Sequence, residues 1–339
     1  MNRIQKYILS NLSTLFISIF MPLFAIASVI FSIKLATYTA VIQISLYDMA
    51  KLYLFVLPEI LFYTLPISFF VAATLSLFKL SNDNEIVVLF SLGIKPSFII
   101  KTMAKPALLL STLLIFDFFI LFPHAKVLSS NFVSYKKSEA KFNLSASEFG
   151  HSFGDWLLYL GEDNNNGTYS KVFLFNKKEE EEILISAQTA EVINDSGILR
   201  LRLTDGEGYS YSKDKFSQIN FKTMLINSAM KTSLRKYEKP LEYWMSGSDT
   251  KKKKRMFITD IVLSLFPILS LFLVAGIGIV HARHQKSRIY LYLFLGVVLF
   301  YGATFGLQKA LGFYTIPFII LTWTVATYIF YKKNIVDRF

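Results

Sequence analysis

The chain has 339 residues, of which 53% are hydrophobic and 33 are Phe, and its formal net charge at pH 7 is +12. Its mean hydropathy of +0.44 is too high for an ordinary soluble protein of this length, so we expect a membrane protein. The absence of cysteine excludes disulfides, thiolate metal sites and a cysteine nucleophile.

Six apolar segments predict transmembrane helices, three before and three after a long polar block. Each crossing needs about 20 mostly apolar residues. Four segments contain no charged residue, and two contain one acid each, Glu59 and Asp117. The first segment is too long for the core of a signal peptide and lacks a cleavage site, so we expect it to remain as a helix. The expected spans cover residues 7–33, 52–78, 106–126, 261–282, 289–308 and 310–331.

Between the second and third spans, residues 82–93 predict a short amphipathic helix at the cytoplasmic membrane surface. An acid in the first turn, an apolar stripe and a terminating glycine define it: Glu85, Ile86, Leu89, Phe90, Leu92 and Gly93. Such a helix is either a linker on the membrane surface or a docking site for a cytoplasmic partner.

The polar block, residues 123–250, predicts one extramembrane domain made of β-strands. Apolar or alternating runs are separated by turn sequences such as Asn194–Gly197 and Asp205–Gly208. Short strands at this spacing are typical of a β-sandwich or a jelly roll. We therefore expect an α-helical membrane protein whose transmembrane parts, 1–122 and 251–339, flank an all-β, jelly-roll-like domain.

The basic excess lies outside the polar block, where it indicates membrane orientation rather than nucleic-acid binding. Short loops on one side are rich in Lys and Arg, which places both termini in the cytoplasm and the β domain outside. That side carries Arg3, Lys6, Lys79, Lys95, Lys101, Arg283, Lys286, Arg288, Lys332, Lys333 and Arg338, whereas the other carries Lys34, Lys51 and Lys309.

One basic run departs from this pattern, because it precedes the fourth span on the outer side. Its members are Lys251, Lys252, Lys253, Lys254 and Arg255. Large translocated domains do not follow the rule that basic residues stay on the cytoplasmic side, so the run needs no functional explanation. Alternatively, the run binds an anionic group at headgroup height, where Lys34 ends the first span.

Sequence motifs of common enzymes are missing from the chain. It has no Gly-x-x-x-x-Gly-Lys-Ser/Thr phosphate loop, no Gly-x-Ser-x-Gly elbow and no His-Glu-x-x-His pair. His281 and His284 lie within a basic loop whose positive charge disfavours a metal ion. We therefore expect a non-catalytic protein with no metal site and no cofactor.

The acids inside two spans, Glu59 and Asp117, are candidates for a proton relay. We place both toward the outer ends of their spans, where pairing with Lys51, Lys34 or the basic run explains them better.

The ordered motifs of the chain resemble those of the LptF/LptG family, the permease subunits of the ABC exporter of lipopolysaccharide. The matching segments are Leu57–Glu59, Leu65–Ser68, Glu85–Ser97, Phe122–Ala125, Ile185–Glu191, Leu201–Gly206, Ala282–Arg288 and Trp323. They cover essentially the whole chain. The segments Pro58–Glu59, Leu65–Ser68 and Lys79–Leu80 lean slightly to the F type.

The resemblance implies a bacterial inner-membrane protein that pairs with a paralogous permease above a cytoplasmic ABC ATPase dimer. The helix containing Glu85 would dock on the ATPase, and its movement would drive lipopolysaccharide out of a cavity toward a periplasmic bridge protein. Lys34 would contact lipid phosphates. We extend that role to Lys251–Arg255 because of their charge and position. This run holds more basic residues than the family pattern has at this place. The alternative is a membrane-anchored periplasmic binding or scaffold module without transport activity.

Overall fold

The computed structural model describes residues 3–39, 45–140, 149–153, 156–163, 168–178, 181–195, 198–212, 215–227, 239–245, 250–280 and 288–337. Contacts divide the chain into two units. A helical unit comprises residues 1–38, 45–129 and 236–339, and a second unit, residues 39–44 and 130–235, contains a β-sheet. The domain boundaries at residues 122/123 and 250/251 stay predictions.

Five helices precede the sheet and six follow it in the described residues. The first five are α1 (Arg3–Thr39), α2 (Leu46–Asn82), α3 (Glu85–Ser91), α4 (Pro96–Phe116) and α5 (Phe122–Ala140), with a π-helical turn at Asp117–Leu121. The others are α6 (Pro240–Met245), α7 (Thr250–Ser264), α8 (Phe266–Leu269), α9 (Leu271–Gly278), α10 (Ile289–Leu311) and α11 (Thr315–Tyr331), with a 3₁₀ turn at Gly312–Tyr314 and a π-helical turn at Lys332–Val336.

Within the described residues, four helical stretches are long and apolar enough to cross a membrane. They are Arg3–Thr37, Leu46–Asn82, Pro96–Lys136 and Ile289–Val336. The last stretch contains two of the predicted spans, which become α10 and α11. These stretches, with a β domain inserted between them, confirm the predicted fold class.

The predicted span 261–282 is not one continuous helix, because α7, α8 and α9 are separated at Leu265 and Ser270. Pro267 lies in α8 and has no N–H to donate to the preceding turn. Two i to i−3 bonds interrupt the regular ladder here: Leu265 N–H donates to the Val262 carbonyl at 3.2 Å and Ile268 N–H to the Leu265 carbonyl at 3.1 Å. Residues 281 and 282 lie outside the described residues.

Aromatic packing forms the centre of the helical unit. The Phe266 ring of α8 lies with its centroid 5.2 Å from Phe70 of α2 and 4.5 Å from Phe300 of α10. Trp323 of α11 contacts Phe300 at 4.9 Å. At Gly278 a Cβ atom would lie 2.7 Å from the Thr74 carbonyl oxygen, so only glycine permits the close approach of α9 to α2.

Helix α1 is different, because none of its most apolar stretch is buried within the chain. Ile17, Met21 and Ile26 are all more than half exposed. An apolar helix of this length, left uncovered by its own chain, requires lipid or another subunit around it.

The sheet of the second unit is antiparallel and has seven strands. Their bounds are β1 Phe149–Phe153, β2 Trp156–Tyr159, β3 Glu162–Asp163, β4 Thr168–Lys178, β5 Glu181–Asp195, β6 Ile198–Ser212 and β7 Lys215–Asn227. The pairing order is β1-β2-β4-β5-β6-β7, with β3 on β4, so the described strands follow one another as a meander. One face carries the core of this unit, including Leu158, Val172, Leu174, Ile185 and Leu203.

The turn predicted at Asp205–Gly208 is wrong, since β6 continues through it. Asp205 has φ 49° and Lys171 of β4 has φ 53°, and both residues are skipped in the strand register. A Cβ atom on Gly206 would collide with the Ser186 carbonyl oxygen. The register is the same on both sides of Asp205, so the Asp-Gly pair forms a local backbone distortion in a continuous strand rather than a chain reversal. The other predicted turn, Asn194–Gly197, lies partly outside the described residues.

Candidate functional site

The segment that joins α2 to α4 contains the predicted amphipathic helix in a shorter form. We predicted residues 82–93, but α2 continues through Asn82, and α3 occupies only Glu85–Ser91. Asn84 takes a left-handed conformation with φ 62°, which asparagine tolerates better than most residues.

A glycine ends α3 as the sequence predicts. Gly93 has φ 83° and donates to the Phe90 carbonyl at 2.9 Å, while Ile94 donates to the Leu89 carbonyl at 3.1 Å. These two bonds form a Schellman motif, which satisfies carbonyl groups at the end of the helix.

The apolar residues of α3 and Leu92, which follows it, point in two directions. Ile86 is 1% exposed within the core of the helical unit, and Phe90 packs against the same core. Val88 and Leu92 are 55% and 73% exposed. Ile86 and Phe90 therefore hold the segment in place, while Val88 and Leu92 are accessible to another molecule.

Glu85 is held by a residue that the sequence analysis missed. The Tyr7 hydroxyl donates to the Glu85 carboxylate and lies 2.8 Å from Oε1 and 2.7 Å from Oε2. Tyr7 lies near the start of α1, separated from Glu85 by 78 positions. The predicted topology places both residues on one membrane side, which was the only signal in the sequence for their proximity.

An open groove lies between the start of α1 and α3. Its walls include Arg3 and Tyr7 from α1, and Asp83, Glu85 and Leu89 from the α2–α3 segment. Charges of both signs therefore border an apolar floor. The half-buried Leu89 belongs to this groove rather than to the core.

The basic run lies in the first turns of α7, where its residues point in different directions. Successive residues of an α-helix are rotated by about 100°, so five consecutive side chains cannot share one face. The outward group, which we define as Lys251, Lys252 and Arg255, is exposed and has the spacing of one helix face.

The other two lysines of the run lie against aromatic residues. The Lys253 Nζ atom is 4.2 Å from the centroid of the Tyr243 ring, a cation–π contact. Lys254 lines a small apolar pocket with Trp244 and Phe257. Lys253 is half-buried, whereas Lys254 is exposed like the outward group but also lines this apolar pocket. We call these two lysines the inward pair because both lie beside aromatic residues.

Lys34 is exposed near the end of α1, with its Nζ atom 5.8 Å from the centroid of the Phe31 ring. It lies on a different helix from the basic run. A joint site formed by Lys34 and the run stays a prediction.

The acids inside the helical unit do not pair as expected. Glu59 Oε2 lies 3.9 Å from Lys126 Nζ, so the expected partners Lys51, Lys34 and the basic run are wrong. Asp117 is only 4% exposed, so its side chain is buried within the chain, and its position toward the outer end of the span stays a prediction. Asp260 is equally buried, and we missed it because our fourth span began one residue later.

In the part of the chain that the structure describes, no group of three or more His, Cys, Asp or Glu residues could hold a metal ion. Of the predicted basic loop at 281–288, residues 281–287, which include His281 and His284, lie outside the described residues.

Comparison with protein families matches residues 6–330 to a family described as the lipopolysaccharide export system permease LptF/LptG. No curated protein matches the chain. The matched range includes α3, the inserted sheet and the start of α7, so it contains every site residue that the sequence predicted.

Proposed function

Because the chain belongs to the LptF/LptG family of lipopolysaccharide export permeases, we propose that it is the non-catalytic transmembrane half of an ABC exporter. In this role it extracts lipopolysaccharide from the inner membrane and passes it to a periplasmic bridge protein. ATP is hydrolysed by a separate cytoplasmic ATPase dimer. The family match over residues 6–330 is the observation that carries this proposal.

The uncovered α1 supports a second permease subunit. Its most apolar stretch is unburied within the chain, and a paralogous permease would cover part of that surface. The two subunits would enclose an apolar cavity for the acyl chains. Lipid would cover the remainder of α1.

The geometry of α3 supports docking of the ATPase on the α2–α4 segment. Ile86 and Phe90 anchor α3 to the helical unit, so a force applied to α3 reaches the transmembrane helices. Val88 and Leu92 offer an apolar surface to the partner. Glu85 adds a carboxylate, and the Tyr7 bond leaves some of its lone pairs open to a partner's donor.

The outward group and Lys34 support contact with lipid phosphates. All four side chains are cationic and exposed near helix ends, where long basic side chains extend to the headgroup level. Each cation at a membrane surface contributes about 1 kcal/mol of attraction to anionic lipid. In the orientation predicted from the loop charges, these residues lie on the periplasmic side with the sheet domain.

Association with the ATPase tests the proposal at Glu85. Glu85→Lys reverses the charge at the docking surface and should abolish co-purification of the ATPase while the chain still inserts into the membrane. Asp337→Lys is the matched control, because Asp337 is an exposed acid at the end of the described chain, outside the α3 segment. Equal ATPase recovery with both variants would remove Glu85 from the docking site.

A further inference from the structure

The first helix is fixed to the helical unit by two side-chain hydrogen bonds among the described residues. Tyr7 binds Glu85 of α3, and the Ser28 hydroxyl lies 2.8 Å from the hydroxyl of Tyr53 on α2. At 1.5 Å per residue, Tyr7 and Ser28 are roughly 32 Å apart along α1, which is about the thickness of the hydrocarbon layer. One bond therefore lies at each side of the expected membrane.

Apolar packing of α1 is concentrated beside Tyr7. Ile8 and Leu12 are 0% and 4% exposed, and both belong to the core of the helical unit. Farther along, Ile17 and Met21 are each 56% exposed. The beginning of α1 therefore packs into the core of the helical unit, and the Tyr7 hydroxyl adds a polar contact there.

The Tyr7 bond restrains the Glu85 side chain in a specific way. A phenol has one proton, and its near-equal distances to both carboxylate oxygens place that proton between them. This arrangement fixes the plane of the carboxylate relative to α1. A carboxylate has about four lone-pair sites, so a second donor can still bind Glu85.

We propose that Tyr7 is a positioning residue that links α3 to α1 through Glu85. The inference rests on the proposed function: when the ATPase displaces α3, the bond moves the beginning of α1 with it. Tyr7 also presents the Glu85 carboxylate to the partner in one orientation. Without the hydroxyl, α3 still docks, but its movement no longer reaches α1.

The absence of cysteine allows a direct test with paired spin labels on the full chain. Labels at Arg3→Cys and Ser91→Cys lie on α1 and α3, at exposed positions that are not part of the docking surface assigned to Val88 and Leu92. The distance between the two labels is measured by double electron–electron resonance. The sample is the assembled complex in lipid nanodiscs, with and without ATP. The native chain should give one narrow distribution in each state, whereas Tyr7→Phe should at least double its width.

The same variants separate transport from ATP hydrolysis. Tyr7→Phe should keep ATPase association and ATP turnover within about two-fold of native, but lower the lipopolysaccharide released per ATP at least ten-fold. Ser13→Ala is the matched control, because the Ser13 hydroxyl donates only to the Leu9 carbonyl of α1 among the bonds described. It should change neither the distance distribution nor the transport ratio.

A double variant distinguishes a link through Glu85 from a general effect on α1. Adding Tyr7→Phe to Glu85→Ala, which removes the acceptor of the Tyr7 hydroxyl, should cause little further loss, because the two residues act through one bond. Additive losses, or a native distribution and transport ratio in Tyr7→Phe, would overturn the inference. If no ATPase associates with the native chain, the proposed function fails instead, and the label distances in the chain alone still decide whether Tyr7 restrains α3.

Discussion

The division of the basic run into an outward group and an inward pair leads to unequal effects on lipid binding. Neutralising Lys251, Lys252 and Arg255 together to Gln removes three exposed cations from one face of α7. At about 1 kcal/mol for each cation near an anionic lipid surface, the triple variant should bind lipopolysaccharide about 100-fold more weakly. Neutralising Lys253 and Lys254 should weaken binding only a few-fold.

The assay is equilibrium binding of lipopolysaccharide to the purified complex at low and high salt. The loss of affinity caused by neutralising the outward group should shrink at high salt, because exposed charges are screened. The inward pair should instead affect stability, since Lys253 loses its contact with Tyr243, a contact worth about 0.5–1 kcal/mol at an exposed site. A larger binding loss from the inward pair would refute the assignment of faces.

Three further predictions concern other parts of the chain. Gly206→Ala should destabilise the sheet by about 1–3 kcal/mol in thermal unfolding, because its Cβ would strike the neighbouring strand, whereas Gly208→Ala, with its nearest atoms 3.9 Å away, should be close to neutral. Lys34→Glu should reduce photocrosslinking to lipopolysaccharide several-fold, and equal crosslinking would remove Lys34 from the site. Leu92→Asp should reduce ATPase co-purification with normal insertion, whereas Ile86→Asp should lower the amount of folded chain, since Ile86 is 1% exposed.

The sequence predicts features that depend on local periodicity and on helix-ending signals. The spacing of Ile86, Leu89 and Phe90 matches one side of a helix, and Gly93 ends it through a positive φ. Leu92 was included in the same stripe, but it follows the last residue of α3 and is 73% exposed. Helical periodicity also places Lys253 on a different face of α7 from Lys251 and Arg255.

Contacts between distant segments could not be derived from local patterns. Asp205-Gly206 favours a positive φ in either a turn or a local distortion of a strand, and only the neighbouring strands determine which one forms. The Tyr7–Glu85 bond joins two helices through tertiary packing, and the predicted topology places both residues on one membrane side without pairing them. Asp260 was missed because the charge itself defined the end of the expected span.

Purification of the tagged chain from native membranes in mild detergent, followed by mass spectrometry of stoichiometric partners, tests the central claim most directly. The account predicts recovery of an ABC-type ATPase together with a second permease of the same family. Recovery of the chain alone, under conditions that preserve other membrane complexes, would contradict it and favour a membrane-anchored periplasmic binding or scaffold module.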